Sequence, residues 1–304
     1  EQLALSGGGR WRLAEAAAAL LRRERIRTVV VPRDFPYGTA VKLQKKGIRL
    51  RIAEEELFPQ RAVKRPDEIR KIREAQQAAV IAMRSAVEMI SESEEGGDGC
   101  LLLRGRRLEA EDVRRMISRV LLEHDCISRD IIVAGGMQAV DPHEKGTGFL
   151  RAHEAIVIDI FPRHQGHGYW GDLTRTVIKG TVPASLRTMY HAVRAAQAAA
   201  LSRIRAGRRA DSVHRAVIEE FEKRGFHTET KEGKGSGFIH GTGHGVGLAI
   251  HEAPTLGLGK TFLRAGNVVT VEPGLYYPGI GGIRIEDTVV VTATGWRYLV
   301  PCEK

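Results

Sequence analysis

The sequence has little that would bind a soft metal, cross a membrane or grip nucleic acid. Its three cysteines, Cys100, Cys126 and Cys302, are odd in number, far apart and without a CxxC pair, which excludes a disulfide framework and a thiolate metal site. No apolar run approaches the ~18 to 20 residues of a membrane helix, and the opening EQLALSGGGR lacks the charged-then-apolar order of a signal peptide. We therefore expect a cytoplasmic protein with reduced thiols. The chain does not begin with methionine, which leaves a fragment or a processed form open. Positive charge is in excess, with a net charge of +10, but it is not concentrated. No five-residue block is wholly basic, and the densest stretches, RRERIR and KRPDEIRKIR, carry acids too, so the excess reads as a solvated surface and a nucleic-acid partner is not expected. At 304 residues and 42% apolar, the chain can bury a substantial core in one large or two smaller domains.

Glycine, by contrast, is plentiful, and four glycines fall at alternate positions in HGTGHGVGLAIH, residues 240–251. Three histidines, His240, His244 and His251, share that stretch. So much glycine predicts that neither a helix nor a regular strand runs through it, and that the backbone passes close to a metal or a bound ligand.

Residues 1–62 read as a small, incomplete α/β unit. An alanine-rich helix over Trp11–Arg25 precedes the apolar run Ile26–Val31, a PRDFPYG turn, an amphipathic segment and the strand-like GIRLRIAE. A boundary follows at KRPDE, where Pro66 suits the first turn of a helix and Asp67 and Glu68 suit its positive end. Beyond it the order is helix, helix, strands carrying two acids, then helix, helix, strands carrying two acids, a pattern of internal duplication with little residue identity. Asp211 is the candidate N-cap of the fourth of these helices and Gly225 its stop.

Asp159 and Asp172 lie across one strand-turn-strand, Glu272 and Glu286 across another. Their surroundings, VIDIF, VTVEPG and IRIED, are apolar strands, so the carboxylates should be buried in mid-strand, and a buried carboxylate needs a cation, a basic partner or a proton. The bland solution is that Arg175 and Arg284 pair them off. The alternative is a metal centre of these four acids with His244. Oxygen-rich ligation with one imidazole favours Mn, with Co, Zn or Fe as alternatives, and five ligands with bridging carboxylates suit two ions about 3.5 Å apart. Such a pair would generate hydroxide from water near neutral pH and polarise a scissile carbonyl. His153, His164 and His167 read as structural or solvated.

The motifs GDLTRT, HGTGHGVGLAIHE, TVEPGLYY and GIRIEDTVVVT, in that order, resemble those of the pita-bread metallopeptidases, the family of methionine aminopeptidase, aminopeptidase P and prolidase. The likeness covers roughly residues 66–300. It implies an α/β (α+β) pita-bread fold with two pseudo-symmetric halves over residues 63–304, preceded by a remnant of the N-terminal domain that aminopeptidase P and prolidase carry. It implies that Asp159 binds one ion, that His244 and Glu272 bind the other, and that Asp172 and Glu286 bridge them. His143 would contact substrate, His251 the substrate carbonyl, and His240 the residue after the scissile bond; Arg284 would support the acids, and Glu272 would also shuttle a proton. VPRDFPYG, LFPQR and KRPDEIRKIREA resemble the junction of the Xaa-Pro branch, so the expected activity is a metal-dependent aminopeptidase removing a residue before proline, with peptides as partners. The runner-up is an Xaa-Pro dipeptidase. A non-enzymatic binding module for nucleic acid or protein and a metal-free hydrolase are set against it, because relatives of those kinds lose ligands and this chain keeps all five. The resemblance leaves room for a homodimer. The segment between Asp159 and Asp172 is about two residues longer than the family's and carries Phe161, Pro162 and Trp170, which should alter the pocket rim.

Overall fold

Residues 13–54, 56–231 and 234–304 are described by the computed structural model, and the chain divides into one unit ending at Pro59 and another spanning Gln60–Lys304. In the first, helix α1 (Leu13–Arg23), strand β1 (Thr28–Val31), helix α2 (Tyr37–Lys45) and strand β2 (Arg49–Ile52) form a parallel two-stranded sheet packed on its helices. Ala14, Ala18, Leu43 and Ile48 form its buried apolar cluster. Trp11 and Arg12 lie outside the described residues, and the helix expected to reach Arg25 ends at Arg23 because Arg25 turns to φ 57°. Residues 60–64 belong with the second unit for a visible reason: the Lys64 amide donates to the Gly266 carbonyl (2.9 Å) and the Asn267 side chain to that of Ala62 (2.7 Å).

The second unit opens with helix α3 (Pro66–Ser91). Pro66 needs no amide partner at the helix start, and the Glu68 carboxylate accepts the Arg65 amide at 2.9 Å. Ile72, Ala75, Ala79, Met83, Ala86 and Ile90 then recur at three- and four-residue steps and are all buried. Helix α4 (Ala110–Glu123) buries Val113, Ile117 and Leu121 in the same way. These helices pack on an antiparallel sheet of β3 (Ile132–Gly135), β4 (Ile156–Ile160) and β5 (Leu173–Val177), with β4 in the centre.

The second half repeats the scheme with its own core. Helices α5 (Ala184–Arg203) and α6 (Ala210–Lys223) cover strands β6 (Gly243–Gly245), β7 (Glu252–Leu256), β8 (Val268–Val271), β9 (Gly274–Tyr277), β10 (Gly281–Arg284), β11 (Asp287–Val291) and β12 (Trp296–Tyr298). The main sheet has the order β7-β6-β8-β11-β12, and β9 and β10 pair separately as a hairpin. Asp211 is not the cap of α6: Arg209 holds that place, and the carboxylate of Asp211, in the first turn, takes the Arg209 guanidinium at 2.6 Å. Gly225, at φ 79°, ends the helix. Among the described residues no helix is long and apolar enough to cross a membrane.

Where the halves meet, the sheets are interrupted. The β8–β11 ladder ends at Val271↔Asp287 and the β9–β10 ladder begins at Gly274↔Arg284. Pro273 in the gap cannot donate to a ladder. Glu272 and Glu286 therefore sit in opposed breaks rather than in mid-strand, and β5 of the first half closes onto the second through Glu286 N to Thr174 O (3.1 Å) and Arg284 N to Thr176 Oγ1 (3.0 Å).

Candidate metal centre

Asp159 is the one acid inside a strand, in β4; Asp172 immediately precedes β5, held by a reciprocal pair of 2.8 Å bonds with the buried Gln76 side chain of α3, which takes the Asp172 amide and donates to its carbonyl. Gly171 is required there, since a Cβ would stand 2.6 Å from the Gln76 amide nitrogen. His244 sits in the three-residue strand β6, so a short strand does run through the histidine stretch, irregular in register on its β7 side. The glycines serve this strand rather than a ligand. A Cβ on Gly243 would meet the Thr270 carbonyl of β8 at 2.1 Å, and one on Gly245 the Ala253 carbonyl at 2.4 Å, so the close approach is to neighbouring protein.

These elements bring Asp159, Asp172, His244, Glu272 and Glu286 to the wall of one cavity of about 550 Å³, which His143, His240, His251 and Arg284 also line. His244 Nε2 is 3.3 Å from Glu272 Oε1 and 3.5 Å from Asp172 Oδ2. Asp172, His244 and Glu286 each offer a donor atom within 4.8 Å of the others. The Thr174 hydroxyl donates to Glu286 (2.7 Å), and the Thr270 hydroxyl, which accepts the His244 amide, donates to Glu272 (3.1 Å).

The arginines do not neutralise the cluster. Arg175 is spent on Asp287, at 2.8 Å, on the other side of the strand from the cavity. Arg284 pairs with Asp159 alone, Nη2 to Oδ2 at 2.7 Å, while Asp159 Oδ1 is buried without a hydrogen-bond partner. Burial raises Asp159, with Arg284 opposing. Burial and then the Asp159 charge push Asp172 well above the carboxylate range; burial and the Asp172 charge do the same to Glu286. Burial would also raise Glu272, but its bond to His244 outweighs this and holds it at about 2. His244, despite burial, is raised to about 9 by Glu272 and Asp172. A donor set that in the absence of cations must take up protons, with one oxygen orphaned, fits divalent metal.

The histidines differ in what remains free. Both nitrogens of His240 are engaged, Nδ1 with the Gly241 carbonyl (2.8 Å) and Nε2 with the Tyr276 hydroxyl (2.9 Å). Since a carbonyl only accepts, Nδ1 carries the proton and Tyr276 donates to Nε2; burial keeps the ring neutral by lowering its pKa. His240 can thus present only its ring surface to a ligand. His251 stands edge-on to His244, centroids 4.3 Å apart, and His143 is exposed on the rim. Of the longer segment, Phe161 lines the cavity, whereas Trp170 donates its amide to Gly247 (2.9 Å) and packs with Tyr169 against Val246.

Tyr276 was not legible as a site residue. Fully buried, it gives its proton to His240 and accepts Arg284 Nη1 at 2.9 Å, joining the histidine stretch to the acids. Its only signal in the sequence is its place, four residues after Glu272.

A second group, Glu74, His164 and His167, also brings donor atoms within 4.8 Å, with the imidazoles stacked at 3.8 Å. Here the fit fails. His164 Nδ1 accepts the Gly166 amide (3.1 Å) and His167 Nδ1 the Tyr169 amide (3.2 Å), so each neutral ring carries its proton on Nε2 and has no lone pair there for a cation. These histidines close a turn, as His153 does by accepting the Thr181 amide at 2.8 Å.

The sequence model of metallopeptidase family M24 matches residues 70–293, and the chain belongs to that family. An Xaa-Pro dipeptidase of Pyrococcus horikoshii is 30% identical over 288 residues, 92% of this chain and 75% of the relative. One from Pyrococcus furiosus is 33% identical over 249 residues, with 64% of the relative covered. Among solved structures, the prolidase from Pyrococcus horikoshii superposes with a TM-score of 0.82 at 28% identity, covering 96% of this chain and 78% of that one. An Xaa-Pro dipeptidase from Bacillus anthracis gives 0.82 at 26%, covering 97% and 79%. The architecture of two helix-covered halves is the pita-bread fold of these proteins.

Proposed function

We propose that the chain is a dinuclear metal-dependent exopeptidase that releases the N-terminal residue of peptides whose second residue is proline. The observation that carries this reading is the cluster itself. Asp159, Asp172, Glu272 and Glu286 share one cavity in which, among the described residues, Arg284 is the one guanidinium and His244 the one imidazole paired with them, and Asp159 Oδ1 is buried with no partner, so the site carries more negative charge than the protein neutralises.

Asp159 would hold one ion, His244 and Glu272 the other, with Asp172 and Glu286 between them; Mn is our first choice for an oxygen-rich set with one imidazole. When bound, two such ions supply a nucleophilic water at neutral pH and a Lewis acid for the scissile carbonyl. Glu272, kept ionised by its bond to His244, would accept a proton from the attacking water and return it to the departing amine. His251 faces the cavity beside His244 and donates a hydrogen bond to the substrate carbonyl as charge develops there. His143 contacts the substrate from the rim. His240, with both nitrogens occupied, shapes the pocket for the proline ring, and Arg284 fixes Asp159 while leaving its second oxygen free.

A dipeptidase is the second reading. The relatives named Xaa-Pro dipeptidases favour it, as does Lys145, a rim cation tied to Asp130 that could meet a free substrate carboxylate. Initial rates on Gly-Pro, Gly-Pro-Gly and Gly-Ala-Gly with Mn, Co and Zn test both. Release of glycine from the tripeptide supports the aminopeptidase, hydrolysis of Gly-Pro alone the dipeptidase, and an Asp172→Asn variant as active as wild type would overturn both.

A further inference from the structure

Glu252, the residue after His251, points away from the metal cavity and into the loop that carries that histidine. Its Oε2 accepts the Ala249 amide at 3.2 Å, and its carboxylate lies so close over Gly247 that a Cβ there would stand 2.3 Å from Oε1. The loop 246–251 is wrapped around this side chain. Two cations from the strap before α3 hold it from behind: Lys64 Nζ is 2.8 Å from Oε1 and Arg61 Nη2 2.6 Å from Oε2. The Lys64 side chain is 2% exposed and that of Glu252 9%, so the pair is out of water, and the strap is fixed to the start of β8 by the Lys64 amide and the Ala62 carbonyl. The loop meets the same strand, Val246 N donating to Val268 O at 3.1 Å. His251 itself is exposed, and its ring meets the protein edge-on at His244.

A buried ion pair is weak evidence for stability, because desolvation offsets most of its Coulomb attraction; what such a pair secures is position. Here the secured position is the backbone from which the His251 ring projects. We infer that Glu252, clamped by Lys64 and Arg61, is a positioning residue that holds His251 in register with the metal centre, which makes the strap before α3 a working part of the site. The inference rests on the reading of His251 as the group that contacts the substrate carbonyl.

The test is a double-mutant cycle on the Mn-loaded full chain with Glu252→Gln, His251→Ala and the pair combined, reading kcat, KM and bound metal. Expected for Glu252→Gln is a loss of about tenfold or more in kcat, with KM changed less than about twofold and metal content unchanged. In the His251→Ala background the same substitution should cost less than about twofold, because the residue to be positioned is gone; losses that multiply would mark a merely structural pair and overturn the inference. Lys64→Met/Glu252→Gln, which removes both buried charges, keeps the test available if Glu252→Gln alone fails to fold, and is expected to show the same dependence on His251. The ring signals of His251 in 13C-histidine spectra of the metal-free protein decide independently of any peptidase activity. Broadening or splitting in Glu252→Gln supports the clamp, and unchanged signals overturn it even if the peptidase reading stands.

Discussion

Arg284 and Asp159 are joined by a single 2.7 Å bond that uses one carboxylate oxygen and leaves the other buried and unpartnered, and the same guanidinium reaches Tyr276 at 2.9 Å. The arginine orients the acid without consuming it. Replacing Arg284 by Met removes the only guanidinium among the described residues that is paired with these acids, and loss of one partner of a buried charged pair costs about 3 to 5 kcal/mol. Urea unfolding of Arg284→Met should show a loss in that range. Arg284→Lys should recover little of it, since an ammonium cannot span Asp159 and Tyr276 with a rigid fork; full recovery would mean that charge alone matters there.

If these acids and His244 hold the metal as proposed, protons and metal compete for the same donors. Asp172 and Glu286 are raised by burial and by neighbouring carboxylates, and His244 is raised to about 9 by Glu272 and Asp172 against the effect of burial. Groups raised on folding contribute stability in full below their unfolded values, ~4 for the acids and ~6.5 for histidine, and lose it as pH rises through the folded values. Glu272, held at about 2, behaves oppositely, and its contribution disappears only as pH falls through that value. The metal-free protein should therefore lose stability as pH rises from about 5 to 9, while divalent ions, which displace the protons, restore it increasingly over that window. Melting with Mn and with EDTA at intervals across it should show a widening gap; a constant gap would mean that these groups do not release protons to metal.

Tyr276→Phe deletes the hydroxyl that donates to His240 and accepts from Arg284. Two buried polar groups are left short of a partner, a cost of about 1 to 3 kcal/mol. We expect that destabilisation together with a rise in KM for proline-containing substrates, because the His240 ring is no longer fixed. A change confined to stability would remove His240 from the substrate pocket.

Gly245→Ala and Gly241→Ala separate the two uses of glycine in the histidine stretch. At 245 the new Cβ meets backbone oxygens of Ala253 and Glu252 at 2.4 and 2.6 Å, and at 241 its nearest neighbour is the Leu256 carbonyl at 3.5 Å. Overpacking of this kind costs about 1 to 3 kcal/mol, so Gly245→Ala should lower the unfolding midpoint and loosen metal binding through His244, while Gly241→Ala should be close to wild type in both.

Helix periodicity is legible in α3, α4, α5 and α6, because one face of each is largely apolar and that face packs into a core. The strand assignments were right in kind and wrong in detail. VVTVEPGLYY reads as one strand, yet Pro273 and its opposed gap at Ile285 split it, and that split lets Glu272 leave the ladder. In IRIED the alternation cannot say which acid faces the cavity: Glu286 does, and Asp287 turns to Arg175 and Lys304.

By itself, the sequence determined the chemistry on offer: carboxylates and histidines at fixed spacings within apolar strands, no thiolates, and a repeated order of helices and strands. These are local properties, set by side-chain type and period. Only the tertiary structure decided which groups remain free to act. His240 is occupied at both nitrogens, Arg175 serves Asp287, and Glu252 is reached by Lys64 and Arg61 from nearly two hundred residues away. Hydrogen bonds and ion pairs depend on distances of a few ångströms between atoms far apart in the chain, and such distances are set by packing rather than by spacing along it.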